Sequence, residues 1–346
     1  MENINTESTY KVIELAKYNG DLKLTERRFK ELAKDEVLVK VMCSTIHPAD
    51  ISFLRGTYGK EKPNTPLIPG FEGSGVVVKV GEDVDKSLLN KRVGLSGRVE
   101  KDGTYSGLWS QYAYANYKHL MVFNKEIGYE TICFSIGNPL TAVGFVDTVK
   151  KNGLTSLGQN GASSAFGKIL TRLCKREGIK TVNIVRKEAY VQPLLDMGAD
   201  YVLNSSNPDW EDELKRLCQE NNVKNFFECV GGDYTGRILK CLPDEATVYH
   251  FGNLELKRLG MIDTSDFIFA KKKLTGWWLT GWLQNLSLEE ALKAKNYVVS
   301  DLESGSDMFT SNVSKSYPFE EYQNAFEYYF TNMSEGKVII RPNEHK

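Results

Sequence analysis

Residues 155–178 read TSLGQNGASSAFGKILTRLCKREG, and three signals follow one another in that run. TSLG is the end of a short strand. GASSAFG is a row of small residues broken only by Phe166. Phe166, Ile169, Leu170, Leu173 and Cys174 then recur at helical spacing until Gly178 stops the helix. A strand, a small-residue turn and a helix start, in that order, suit a dinucleotide fold. Small side chains let the backbone approach a pyrophosphate, and the helix start offers N–H donors and a positive dipole end. Gly161 and Gly167 have the spacing of the first and last small residues. Ser163, Ser164 and Ala165 lie between them, where the strict fingerprint has another glycine. Phe166 is expected to pack the helix on the sheet.

Downstream, KTVNIVR, DYVLN, NFFECVGG, ATVYHFGN and KKLTGWWLTGW read as further strands. AYVQPLLDMGA and WEDELKRLCQENN read as helices between them. Pro193 makes the first less regular; Leu214, Leu217 and Cys218 share one face of the second. Strands separated by helices predict a parallel sheet covered on both faces. The strand TVNIV ends at Val185, and Arg186 and Lys187 follow, about 25 residues after Gly161. An acidic residue there would hold the ribose 2′-hydroxyl of NAD, whereas a cation accommodates the 2′-phosphate of NADP. Arginine also offers a phosphate two parallel donors. The pair points to NADPH, with Glu188 an acidic counter-signal beside it.

Upstream the texture differs. From Tyr10 to about Phe123, short β-rich runs end at Gly, Asn or Lys/Asp clusters, as in YKVIELAKY, EVLVKVMCSTI, GSGVVVKVG and WSQYAYANYKHLMVF. They predict a barrel-like β-domain. HPADISFLRGTYG (47–59) interrupts them as one short helix, opened by Pro48 and closed by Gly56. The chain ends on VSKSYPF, EEYQNAFEYYF and GKVIIRP, a strand, helix and strand expected to rejoin the first domain. The expected division is 1–132 with 304–346 for the β-rich domain and 133–303 for the dinucleotide domain, α/β overall.

Of the 346 residues, 41% are hydrophobic and 26% charged, a globular balance that argues against disorder. Lys plus Arg is 44 and Asp plus Glu is 45, so the net charge is −1. No global field draws such a chain to nucleic acid or an anionic membrane, and neither is expected as a partner. No apolar run approaches the ~20 residues of a bilayer span. The first twenty residues carry neither a basic segment before an apolar run nor an Arg-rich, acid-poor presequence. A cytoplasmic location is expected, with a mitochondrial one possible. Cys43, Cys133, Cys174, Cys218, Cys229 and Cys241 form no CxxC pair and read as reduced interior thiols.

Taken together, these segments resemble the medium-chain dehydrogenase/reductase superfamily along nearly the whole chain. The resemblance is carried by EVLVKVMCSTIHPADISFLRGTYG, PLIPGFEGSGVVVKVGEDV, GNPLTAVGF, QNGASSAFGK, NIVRK, FECVGG and EGKVIIRP. Within the superfamily the chain is most similar to the zinc-free quinone oxidoreductases and 2-enoyl thioester reductases. QNGASSAFG, the arginine directly after NIV, and LTGWWLTGW lean toward the latter. The resemblance implies a GroES-like catalytic domain, a doubly wound Rossmann domain, NADPH as cofactor, and a homodimer made by pairing edge strands near 274–283. It also implies cofactor contacts. These fall at Asn138 and Thr141 in GNPLTAV, at Phe251, Gly252, Asn253 and Leu254 in FGNL, at Trp277, Trp278 and Leu279, and at Lys337. They join Gly161, Ser163, Ser164, Ala165, Phe166 and Gly167 of the turn and Arg186 and Lys187 of the strand end. Asn253 stands where a second glycine is common, and Ala165-Phe166 where many members have Gly-Val.

The family's proton donor matches Tyr58 in RGTYGK. A phenol with a pKa near ~10 stays protonated at neutral pH and can donate. The zinc-dependent branch takes its metal on a Cys before the short helix, a His in PGHE and a later Cys. Here those positions read His47, Phe71 and a segment around Asn138. A catalytic zinc needs three protein ligands; His47 with Glu72 does not supply them, and no metal is expected. The implied reaction is NADPH-dependent reduction of the C2=C3 bond of a 2-enoyl thioester. An NADPH:quinone oxidoreductase is the alternative on the same fold. A nucleotide-binding protein with a structural or RNA-associated role is a second alternative, weakened by the lack of a basic stripe.

Overall fold

The computed structural model of the chain describes residue 4 and residues 6–333 and 335–343. The β-rich runs of the N-terminal part, joined by the two C-terminal strands, form two mixed, largely antiparallel sheets. One has the order β2 (Leu22–Arg28), β1 (Thr9–Leu15), β4 (Asn64–Ile68), β8 (Thr104–Ser106), β7 (Arg98–Val99). The other runs β10 (Met121–Phe123), β6 (Arg92–Ser96), β5 (Glu72–Val80), β3 (Glu36–Thr45), β18 (Lys337–Arg341), β17 (Val313–Pro318), with β9 (Tyr112–Asn116) also on β3. β3 is mostly apolar and covered on both faces; only Lys40 in it is not buried. The short helix is α1 (Pro48–Leu54), with Pro48 in its first turn, where a missing N–H costs nothing. Gly56 follows it at φ +66°, a left-handed stop. α2 (Tyr129–Ile132) and α3 (Gly137–Lys151) lead onward.

From there strands and helices alternate: β11 (Ser156–Gln159), α4 (Ala165–Glu177), β12 (Lys180–Val185), α5 (Val191–Met197), β13 (Tyr201–Asn204), α6 (Trp210–Glu220), β14 (Asn225–Glu228), α7 (Asp233–Cys241), β15 (Thr247–His250), α8 (Thr264–Ile268) and β16 (Lys273–Gly276). The six strands form one parallel sheet in the order β13-β12-β11-β14-β15-β16. This is the doubly wound order, and it reverses between β11 and β14. α9 (Leu279–Gln284) and α10 (Leu288–Glu303) follow, and α11 (Tyr322–Thr331) lies between β17 and β18. The chain divides into two units, Met1–Gly137 with Lys295–Lys346, and Asn138–Ala294.

In the second unit, Val182, Ile184, Phe226 and Val248 pack under Leu214, Leu217, Ile238 and Leu239 of α6 and α7. Phe227 faces the other way and stacks on Phe145 of α3, with ring centres 3.7 Å apart. Phe145 also meets Trp277 edge-on at 4.7 Å and Phe251 at 4.9 Å.

Two local readings change. Pro193 falls in the first turn of α5, so it does not distort the helix. The expected strand over 272–282 stops at Gly276, and α9 starts at Leu279. Trp277 and Trp282 both turn to α3, donating from Nε1 to Thr148 Oγ1 at 3.2 Å and to Asp147 Oδ2 at 3.0 Å. Residues five apart point to opposite faces of a strand; coiling the chain at 279 brings both indoles to one partner. Phe145→Ala should lower the urea unfolding free energy by about 3–5 kcal/mol, since it empties the centre of this aromatic stack.

Candidate active site

β11 ends at Gln159, and residues 160–164 bend the chain into α4. Gly161 sits at φ +61°, and a Cβ on it would lie 2.8 Å from Cys229 Sγ. A Cβ on Gly167 would lie 2.5 Å from the backbone of Ala162. Gly167 requires glycine by space, because α4 presses on the turn that feeds it, and Gly161 by its left-handed φ with Cys229 Sγ close by. Ser164 caps α4, its Oγ accepting from Gly167 N at 3.1 Å. Gln159 Nε2 donates to Gly167 O at 3.1 Å and to Asn183 Oδ1 at 2.8 Å, fixing the helix start against β12. The N–H groups of Ala165 and Phe166 have no protein acceptor among the described residues. They are open donors at the positive end of a helix of 13 residues. The Phe166 ring turns away, to 5.4 Å from Phe145 and 5.1 Å from Phe251.

Arg186 and Lys187 follow the last residue of β12 and are exposed, without an ion-pair partner among the described residues. Glu188 is engaged elsewhere: its Oε2 accepts from Asn204 Nδ2 at 3.0 Å. Phe251, Gly252, Asn253 and Leu254 form the loop after β15. Phe251 N donates to Glu228 O at 3.0 Å and Leu254 N to Cys229 O at 2.9 Å, so the loop is stitched to the end of β14 beside Gly161. Asn253 folds the loop on itself, bonding to the Lys257 backbone through both its amide atoms at 2.9 and 3.2 Å. Asn138 and Thr141 are half-buried in the first turns of α3. Trp277 packs on Gly144 of α3, Trp278 is partly exposed, and Leu279 opens α9.

The other unit holds Tyr58 in the turn after α1, half-buried, its ring 4.8 Å from Phe71. Phe53 and Tyr105 complete an aromatic wall, 4.8 Å from each other. Behind it lies a buried polar group. Asp50 accepts from His47 N at 2.7 Å and from Phe71 N at 3.0 Å. Burial pushes its carboxyl up to about 7 against those two bonds, and Glu72 adds to the rise. His47 Nε2 lies 3.0 Å from Glu72 Oε1, in ion-pair range but off the hydrogen-bonding angle. The other Glu72 oxygen accepts from Gly137 N at the start of α3. Lys337 Nζ is 3.0 Å from His47 Nδ1 and buried, so its amine is engaged inside its own unit. Burial and Lys337 lower the His47 pKa, and burial lowers that of Lys337.

This donor set does not fit the zinc of the related metal enzymes. Phe71 has no donor atom, and the Lys337 amine stands against the imidazole that would be the first ligand. Among the described residues no group of three His, Cys, Asp or Glu side chains could hold a metal ion.

Sequence reasoning assigned no role to Asn160, Glu228 or His250, which share one hydrogen-bonded cluster at the strand ends. Their signal was a polar residue closing each apolar strand, in LGQN, FFE and VYH.

The alcohol dehydrogenase GroES-like domain family model matches residues 33–125, and the zinc-binding dehydrogenase family model matches residues 165–294. The chain is 29% identical over 304 residues to the mitochondrial enoyl-acyl-carrier-protein reductase of Arabidopsis thaliana, covering 86% of this chain and 78% of the relative. It is 30% identical over 256 residues to the Caenorhabditis elegans mitochondrial enoyl-acyl-carrier-protein reductase, covering 72% of this chain and 70% of the relative. Among solved structures, a candidate NADPH:quinone reductase from Mesorhizobium loti matches with a TM-score of 0.84 at 26% identity, over 97% of this chain and 99% of that one.

The raised Asp50 pKa has a pH signature. Below the ordinary carboxylate range, about 4, the group is protonated folded and unfolded alike. Between there and about 7 only the folded state keeps the proton, so its burial costs increasing stability as pH rises, and the cost levels off above. The melting-temperature advantage of the wild type over Asp50→Asn should therefore shrink from about pH 5 to about pH 8. A gap independent of pH would refute the assignment.

Proposed function

This chain belongs to the medium-chain dehydrogenase/reductase superfamily, and within it we propose an NADPH-dependent reductase of the C2=C3 double bond of 2-enoyl thioesters. The observation that carries this reading is the bend into α4. Glycine is favoured there by close contacts and a positive φ, two backbone N–H groups are open, and Arg186 and Lys187 have no ion-pair partner among the described residues. A pyrophosphate suits the open donors, and a 2′-phosphate suits the two cations. Likeness to enoyl reductases at 29% and 30% identity supports the substrate class.

When bound, NADPH supplies the hydride that goes to Cβ. The chain's residues do the rest. Ala165 and Phe166 seat the pyrophosphate through their open backbone donors, and Gly161, Ser163, Ser164 and Gly167 shape the bend that presents them. Asn138, Thr141, the 251–254 loop and Trp277, Trp278 and Leu279 are assigned to the nicotinamide half. Tyr58 donates its phenolic proton to Cα as negative charge develops on the thioester oxygen, and Phe53, Phe71 and Tyr105 hold its ring in place. No metal takes part. Lys337, whose amine also meets His47, is assigned to the cofactor as well, since an ammonium has three donors.

The likeness at 26% identity to a candidate NADPH:quinone reductase supports a second reading, the same hydride delivered to a quinone. Turnover of crotonyl-CoA against a benzoquinone decides between them; NADPH binding without either turnover would favour a non-catalytic role. The outermost strand β16 has one sheet neighbour, β15, among the described residues, exposed Ile268 and Phe269 precede it in the chain, and a second copy of the chain is the proposed cover of its free edge. No helix among the described residues is long and apolar enough to cross a membrane. The relatives are mitochondrial, and the proposed setting is mitochondrial or cytoplasmic.

Tyr58→Phe should slow crotonyl-CoA reduction by about 100-fold or more while NADPH affinity stays nearly unchanged; undiminished turnover would remove Tyr58 from the mechanism. Arg186→Glu should shift preference from NADPH toward NADH in steady-state kinetics. An unaltered ratio would refute the 2′-phosphate assignment.

A further inference from the structure

At the ends of β14 and β15 one carboxylate is fully buried. Glu228 Oε1 accepts from Asn160 Nδ2 at 2.7 Å, from Val230 N at 2.7 Å and from Gly231 N at 2.8 Å. Its Oε2 accepts from Thr235 Oγ1 at 3.0 Å and lies 2.6 Å from His250 Nδ1. Burial alone would raise the carboxyl. The bonds from His250, Asn160 and Gly231 outweigh it and hold the group below its ordinary range. Glu228 is therefore an anion, tied to the end of β11, the turn after β14, α7 and the end of β15.

A carboxylate only accepts, so every group facing it must donate. His250 Nδ1 thus carries a hydrogen, and fixing one ring nitrogen decides what the other can do. Nε2 has no protein partner among the described residues, and the His250 side chain stays 22% exposed. A ring locked by a buried carboxylate on one side and open on the other is arranged to meet something. Its surroundings narrow the choice. The cluster lies at the carboxyl ends of the strands, where the sheet order reverses and where open α/β sheets take their ligands. Asn160, on the same carboxylate, immediately precedes Gly161, and His250 immediately precedes the 251–254 loop.

We propose that His250 contacts the bound dinucleotide through Nε2, at an oxygen of its ribose–phosphate portion, and that Glu228 is the residue that positions it. The inference rests on the NADPH reading above. Its rival is a purely structural cluster that locks the strand ends.

Asparagine and glutamine separate the two. His250→Asn puts an amide where Nδ1 was, keeping the bond to Glu228 and giving up the outer nitrogen. His250→Gln does the reverse. In an NADPH titration of the full chain followed by tryptophan fluorescence, His250→Asn should weaken binding about tenfold at an unchanged melting temperature. His250→Gln should melt lower yet bind within about threefold of wild type. His250→Asn with wild-type affinity overturns the proposal. Glu228→Gln lets the ring exchange tautomers and should raise KM for NADPH several-fold with kcat retained; an unchanged KM removes Glu228 from the site. In the wild type, the His250 Nε2 signal in nitrogen-15 spectra should move when NADPH is added. NADPH binding that leaves it unmoved overturns this inference alone, whereas a chain that binds no NADPH overturns the cofactor reading as well.

Discussion

At two points around the start of α4 the chain passes so close to its neighbours that a side chain would press on them. A Cβ on Gly167 would fall 2.5 Å from Ala162, and one on Gly161 would fall 2.8 Å from Cys229 Sγ. This close approach fixes the start of α4 against the sheet. From it follow the cap by Ser164, the open N–H groups of Ala165 and Phe166, and the contact of the 251–254 loop with Cys229. Any larger residue at either glycine would move the helix start, and with it the only geometry that makes those donors useful to an anion.

Each unit also buries a polar cluster, and the two are built differently. Glu228 collects hydrogen bonds from every side and remains an anion, because the donors outweigh the loss of water. Asp50 has two backbone donors and a second carboxyl nearby, and burial prevails. The same residue chemistry thus ends in opposite protonation tendencies. In the first unit the cluster stands behind the wall of Phe53, Phe71 and Tyr105 that carries Tyr58. Breaking one member of such a cluster leaves its partners unpaired in a dry interior, which costs more than the contact itself.

Much of the architecture was legible because periodicity reports burial. The run at 166–174 declared α4, the alternation beyond it declared a doubly wound sheet, and EVLVKVMCSTI read as a strand from its β-rich residues. Reading failed where an apolar run had two possible partners. Residues 277–283 look like strand, yet Trp277 and Trp282 choose α3, and the chain coils to let them. The meeting of the Lys337 amine with His47, 290 positions away, had no signal in the sequence.

The residues by themselves determined most of the helices and strands, the segment from 277 apart, and that two cations close β12. These are local properties, set by side-chain period and backbone freedom within a few positions. Tertiary structure alone decided that Asn160, Glu228 and His250 share one carboxylate, and that Lys337 lies on His47. Such meetings depend on strand order and helix docking. Hydrophobic period encodes that a face is covered, but not which distant polar atom waits beneath the cover.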